Sequence, residues 1–372
     1  MKISRAELLR IGLTMKHSFE VSSKRFQEKD AVLVRLYTSE GIIGYGESGA
    51  LPSPFYSPEY IDSAYQVLAQ YILPDIANRS FASVEELEQT YAWIKGHHFA
   101  KIAVEGAFWH VVSQERQVPL HQVWGGTLPR VEVGNSLSIE PTVDILLGKV
   151  EVALAQGFRR IKIKIKPGFD LEPVIAIRER FGDISLMVDA NSGYSLKDIG
   201  LFRELDRFNL FMIEQPLEHD DIIDHAELQR QITTPICLDE SILSYDDARK
   251  AIAIGACKII NIKPPRVGGF AASKRIAEYA RSLNIGIWCG GMFESGIGKA
   301  FNAHLCSLPA FNLPADNSGS RSYYEHDLLA DDHPIEIDQD AYITLPQAPG
   351  LGWPIDTAFI EQRITAKAKF PP

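Results

Sequence analysis

The sequence has little cysteine. Cys237, Cys257, Cys289 and Cys306 stand singly, with no CxxC or CxxH spacing. That argues against a structural zinc site and a disulfide framework, and leaves reduced thiols as the default. No apolar run reaches the roughly 18 to 20 residues that span a bilayer, and the opening MKISRAELLRIGL lacks the continuous apolar centre of a signal peptide. The chain is therefore expected in the cytoplasm, with no membrane partner. Basic runs interleaved with aromatics are missing too, and a formal charge of -10, from 48 acidic against 38 basic residues, speaks against nucleic acid. The glycine-rich GGMFESGIGK lacks the Gly-Lys-Ser/Thr ending of a phosphate loop. Gly44-Tyr45-Gly46 lies within a hairpin strand and reads as packing.

What is present is 372 residues, 45% hydrophobic, ample for one large domain or two ordinary ones. The first part opens as an antiparallel meander, KISRAELLRIGL followed by AVLVRLYTSEGIIGYGESG, with a turn at Ser39-Glu40-Gly41. Helical periodicity follows in SPEYIDSAYQVLAQYILPDI, SVEELEQTYAWIKG and AKIAVEGAFWHVVSQER. Residues 1–127 are thus expected to form an α+β capping domain. The pattern then changes, and VEVGNSLS, RRIKIKIK, ISLMVDA, LFMIEQP, TPICLDE, CKIINIKP, IGIWCGG and AFNLPAD alternate with helical segments. Parallel strands need long crossovers, so these runs predict an α/β fold: a (β/α) barrel, a modified TIM barrel, over residues 128–320. Residues 321–372 lose the repeat and are expected to return to the capping domain.

Lys164, Asp189, Glu214, Asp239 and Lys263 follow one another at steps of 25, 25, 25 and 24 residues, each at the downstream end of an apolar run. That is one strand-helix unit per step, with a charged residue repeated at the level of the C-terminal rim, where barrels place their chemistry. A lone Asp after a strand is usually a helix N-cap. Three carboxylates pointing into one mouth are another matter, because at an effective dielectric of about 20 each pair 4 Å apart costs about 4 kcal/mol. A divalent cation removes that cost, and oxygen ligation without His or Cys selects Mg²⁺ first and Mn²⁺ second. Lys164 and Lys263 then flank the metal from opposite sides. Two such bases across a bound small-molecule carboxylate suit abstraction of its α-proton, with the metal taking up the developing charge. In the alternating RRIKIKIKPG, Lys162 is expected to point into the barrel below Lys164, and Lys166 to lie beyond the rim.

The motifs KIK at Lys162, DAN at Asp189, EQP at Glu214, LDES at Asp239 and NIKPPRVGG at Lys263 resemble the enolase superfamily. Within its muconate-lactonizing branch they are most similar to the o-succinylbenzoate synthase and N-succinylamino acid racemase family. The resemblance covers nearly the whole chain. It implies that Asp189, Glu214 and Asp239 are Mg²⁺ ligands and Lys164 the acid/base on one face, assisted by Lys162. Lys263 becomes the acid/base or cationic stabiliser on the other face, and Asn191 and Arg266 are polar neighbours. Arg266 is expected to lower the proton affinity of Lys263 by like-charge repulsion. The implied reaction is a dehydration to o-succinylbenzoate through an enediolate, in menaquinone synthesis. The alternative is racemisation of N-succinylamino acids by the same two lysines, and both activities can reside in one protein. IGIWCGGMFESG offers no histidine base, and NLPADNSGS holds only Asp316 where dipeptide epimerases carry an Asp-x-Asp. Met292 and Phe293 are expected to face an aromatic or acyl group, and the backbone amides of GGMFESGIG to receive a succinyl carboxylate. Ser136 and, from a capping loop, Phe19 complete the expected substrate contacts, while Phe55-Tyr56 reads as core. A homo-oligomer is expected.

Overall fold

The computed structural model describes residues 1–21, 24–320 and 322–371, without the side chains of residues 17–27. Alternating apolar residues form three antiparallel strands first: β1 (Ile3–Val21), β2 (Lys24–Thr38) and β3 (Ile43–Glu47). β1 outruns the periodic stretch that predicts it, because its pairing with β2 resumes at Phe19 after an irregularity beyond Thr14. β3 lies against the helix His98–Arg116. A Cβ at Gly44 or Gly46 would stand 2.1 Å from Ala107 O or 2.0 Å from Ala103 O, so this close approach requires glycine. The helix begins where the Glu59 carboxylate accepts from His98 N at 2.9 Å and Phe99 N at 3.0 Å, satisfying donors that a first turn leaves open. It buries Phe99 and Phe108 at 2% exposure each, and a side chain of that size contributes about 1.5–3 kcal/mol on burial.

The strands that follow the cap are β4 (Arg130–Glu132), β5 (Asn135–Leu137), β6 (Arg160–Lys164), β7 (Ser185–Asp189), β8 (Ile213–Glu214), β9 (Ile236–Leu238), β10 (Ile259–Ile262) and β11 (Gly286–Cys289). β4 pairs instead with β12 (Tyr342–Thr344), antiparallel. The other seven form one parallel sheet in the order β11-β10-β9-β8-β7-β6-β5. Leu186, Val188, Ile213, Ile236, Leu238, Ile260 and Ile262 join the large apolar cluster under the helices. The alternate residues Met187, Cys237 and Trp288 join a small separate one, as the two-residue period of strands lining a barrel requires.

The eighth run, AFNLPAD, is not a regular strand, since Pro314 has no N–H to place in a ladder. It closes the ring by single bonds. Asn312 N and Leu313 N donate to Ile287 O at 3.1 Å, and Asp316 N to Cys289 O at 2.9 Å. On the other side Ala315 N donates to Glu132 O at 3.0 Å and Gly134 N to Ala315 O at 2.8 Å. The chain ends in β13 (Ile364–Phe370), which pairs with β1 in a cap sheet ordered β13-β1-β2-β3. All four cysteines are free and buried. No helix among the described residues is long and apolar enough to cross a membrane.

Buried histidines sit where the cap helix, a barrel helix and the tail meet. His110 Nδ1 accepts from Tyr45 N at 3.1 Å, and His304 Nε2 bonds Leu351 O at 2.9 Å while its ring stacks on His121 with centroids 5.5 Å apart. Burial pushes His110 down to about 4 and His304 down to about 3 from the ordinary 6.5. Both are therefore neutral when folded but take up protons on unfolding below pH about 6.5. Their stabilising contribution is present above that pH and lost as pH falls through the folded values, on the order of 3 kcal/mol each by pH 4. The urea unfolding midpoint is expected to fall between pH 7 and 4.5, and a midpoint flat over that range would contradict this.

Candidate active site

The 25-residue step becomes a lateral row. Lys164 is the register partner of Asp189 across β6 and β7, and Asp189 of Glu214 across β7 and β8. Asp239 and Lys263 follow the last residues of β9 and β10 directly. Asn191 and Gln215 adopt left-handed backbone, at φ 41° and 36°, a conformation that costs energy in residues other than glycine and concentrates at functional turns. Asp189, Glu214 and Asp239 are 2%, 0% and 1% exposed.

Cations close over these carboxylates. Lys164 Nζ is 3.0 Å from Asp189 Oδ2 and also meets Asn191 Oδ1. Lys162 Nζ is 3.1 Å from Glu214 Oε2 and 2.5 Å from Asp316 Oδ2. On the far side Lys263 Nζ is 2.9 Å from Asp239 Oδ2, and the Arg266 guanidinium grips Asp239 Oδ1. Asn261 Nδ2 donates to Glu214 Oε1 at 2.7 Å, and Asn191 Nδ2 to Glu240 Oε1 at 3.2 Å. Burial works against the charge on Asp189, but Lys164 and Lys162 outweigh it and hold its carboxyl below the usual range. Glu214 goes the other way, raised by burial and by Asp189.

Five acids (Asp189, Glu214, Asp239, Glu240, Asp316) thus face five bases (Arg160, Lys162, Lys164, Lys263, Arg266) through ion pairs and hydrogen bonds around one mouth. Glu240 Oε2 and Asn261 Oδ1 are buried within it without a hydrogen-bond partner. Three converging carboxylates beside two unsatisfied oxygens are a donor set that fits a hard divalent cation.

Several expectations need correction. The amides leading into the helix Gly296–Leu305 do not await a ligand: Glu47, from the end of β3, accepts from Ser295 N and Gly298 N at 2.9 Å each, and Asp327 accepts from Gly296 N at 2.6 Å. Lys263 is raised rather than lowered: burial opposes the ammonium, but Tyr56 and the carboxylates of Glu240 and Glu214 outweigh it and raise its proton affinity. Tyr56 is no core residue; its hydroxyl stands 3.2 Å from Lys263 Nζ and 3.1 Å from Arg266 Nη1. Met292 packs into the cap's apolar cluster at 3% exposure.

Phe293, at φ 59°, has its ring 4.9 Å from that of Tyr323. Ser136 Oγ donates to Asp316 Oδ2 at 2.8 Å at the mouth, and Lys166 is exposed. The side chain of Phe19 lies outside the described residues. Periodicity misses Tyr56, Glu240 and Asp316. The available signals were the Ser/Pro-rich loop SPFYSP after a cap strand, the second acid in LDES, and the acid ending the eighth run. Tyr56→Phe leaves Lys263 its ion pair and removes the hydrogen bonds from Lys263 and Arg266, so kcat/KM is expected to fall about tenfold by steady-state assay.

Residues 147–359 match the family model described as enolase C-terminal domain-like, and residues 6–125 the mandelate racemase/muconate lactonizing enzyme N-terminal domain. The chain belongs to the enolase superfamily. Within it, the chain is 43% identical over 362 residues to an o-succinylbenzoate synthase of Geobacillus kaustophilus, covering 97% of this chain and 96% of the relative. It is 41% identical over 362 residues to an N-succinylamino acid racemase of Thermus thermophilus, covering 97% of each. A solved enolase-superfamily structure from Listeria innocua superposes with a TM-score of 0.95 at 36% identity, over 99% of both chains. In this enolase-superfamily member, Lys162, Lys164, the three carboxylates, Asn191, Lys263 and Arg266 all converge on one mouth.

Proposed function

We propose that this protein is a Mg²⁺-dependent o-succinylbenzoate synthase. The observation that carries the reading is the placement of Lys164 at the end of β6 and Lys263 just after β10, four strands apart around a ring of eight segments, with three buried carboxylates on the strands between. The bases therefore face one another across whatever the carboxylates hold. Asp189, Glu214 and Asp239 would hold the Mg²⁺, with Asn261 orienting Glu214. A bound Mg²⁺ supplies Lewis-acid stabilisation of charge on substrate carboxylate oxygens.

Charge supports an anionic substrate. With Lys164 as the free amine, five acids face four charged bases, so a divalent cation leaves the site with a surplus of one positive charge, which favours binding of a carboxylate. In the dehydration, Lys164 takes the α-proton, and the electron pair of that C–H bond expels the β-hydroxyl. The proton on Lys164 then passes to the departing hydroxyl, which leaves as water and restores the free amine. Lys162 and Lys263 stay protonated and offset the negative charge from below and from the opposite face.

N-succinylamino acid racemisation is favoured as a second reading by one feature. Lys263 is a protonated group on the face away from Lys164, within reach of Tyr56, so a proton removed on one side can be replaced from the other. Steady-state assays of both reactions, with Mg²⁺ and with chelator, test the proposal. Activity toward neither substrate class would refute it.

A further inference from the structure

Asp316 ends the irregular eighth segment, and two cations, Arg160 and Lys162, converge on it. Lys162 Nζ stands 2.5 Å from its Oδ2, nearer than to Glu214 Oε2 at 3.1 Å or Asp189 Oδ2 at 3.8 Å. We propose that Asp316 is a positioning residue, whose carboxylate draws the Lys162 ammonium away from Asp189 and Glu214 and so leaves those two acids to a divalent cation.

Asp316 is itself fixed. Arg160 Nη2 donates to its Oδ1 at 2.6 Å and also to Pro314 O at 3.2 Å and Ala315 O at 3.0 Å, so one guanidinium locks the acid to its own backbone. Arg160 is 2% exposed, and its guanidinium stands 5.1 Å above the ring of Trp288. The space it occupies exists because Gly134 lacks a side chain: a Cβ there would come within 2.2 Å of Arg160 Nε. Ser136 Oγ, at 2.8 Å, holds Asp316 Oδ2 from the mouth side. Lys162 is confined between the Trp288 ring, 4.9 Å below its Nζ, and acidic oxygens.

Apart from Asp316, the acids within salt-bridge distance of Lys162 are Glu214 and Asp189, two of the three expected metal ligands. With the Asp316 charge gone, those two are the acids among the described residues left for the ammonium to approach. A fixed monovalent cation then competes with the divalent one for the same oxygens. The inference rests on the metal-site reading above, and its test needs no turnover.

Mg²⁺ affinity is measured by titration calorimetry on four proteins: the native chain, Asp316→Asn, Lys162→Met, and the double variant. Asp316→Asn keeps the shape and acceptor of the residue but removes its charge. It is expected to raise the Mg²⁺ Kd about tenfold when Lys162 is present and less than about threefold when Lys162 is methionine, a coupling that a purely structural role does not produce. Circular dichroism verifies folding, and Asp316→Ser carries the same comparison should Asp316→Asn fail to fold. Equal weakening in both backgrounds would show the Asp316 charge acting on the cation directly and would overturn the inference, as would no weakening at all. A native chain that takes up no Mg²⁺ would contradict the metal-site reading as well.

Discussion

Replacing Lys164 or Lys263 by alanine is expected to lower turnover about 10³- to 10⁴-fold while leaving the protein folded. The size of the effect is that of removing a positioned acid or base from a proton-transfer step. The tolerance follows from what each lysine leaves behind. The Lys164 side chain is 36% exposed, and its ion pair with Asp189 is backed by Lys162 at 3.8 Å, so its loss costs only about 0–1 kcal/mol. Lys263 is more enclosed, at 13% exposure, but Asp239 keeps the Arg266 guanidinium when Lys263 goes. Neither substitution strands a buried charge without a partner. Steady-state kinetics beside circular dichroism check both halves, and more than a tenth of native activity in either variant would sink the two-lysine mechanism.

Glu214→Gln is expected to abolish Mg²⁺ binding and activity, yet to leave the chain at least as stable in chelator as the native protein. Glu214 stands on the central strand of the three, at 0% exposure, with burial and Asp189 both pushing its carboxyl up. A glutamine of the same shape keeps an oxygen toward Asn261 Nδ2 and removes the charge that burial opposes, while Lys162 retains Asp316. For the cation the same change removes one of three anionic donors, and a rise of at least about 100-fold in Kd is expected, with turnover falling by about 10³ or more. Calorimetry with Mg²⁺ and thermal unfolding in chelator separate the two. A variant that lost stability but kept its metal would show that Glu214 serves the fold and not the site.

The row of rim charges was legible because parallel strands repeat their register. A 25-residue unit returns the chain to the same level, and the pairs Lys164 with Asp189 and Asp189 with Glu214 are that repeat seen sideways. Alternation alone separated Lys162, turned inward, from its apolar neighbours Ile161 and Ile163, which are wholly buried. The closure at Asn312 to Asp316 was less legible, because a proline breaks the ladder and single hydrogen bonds take over. Contacts between the cap and the barrel were not legible at all. Tyr56 meets Lys263 across 207 residues, and Glu47 meets Ser295 across 248, and no local period encodes such distances. The amides of GGMFESGIG looked available for a substrate carboxylate only because the carboxylates of Glu47 and Asp327 that fill them lie elsewhere in the chain.

Dehydration of a succinyl-bearing cyclohexadiene carboxylate by this chain is expected to proceed by a metal-assisted proton transfer through Lys164. Formation of o-succinylbenzoate, followed in a single reaction as Mg²⁺ is supplied, chelated and supplied again, tests it most directly. Product is expected with Mg²⁺, arrest on chelation and recovery on re-addition, and none of these with Lys164→Ala. No product from the native protein with Mg²⁺ present, or a rate unaffected by chelation, would contradict it.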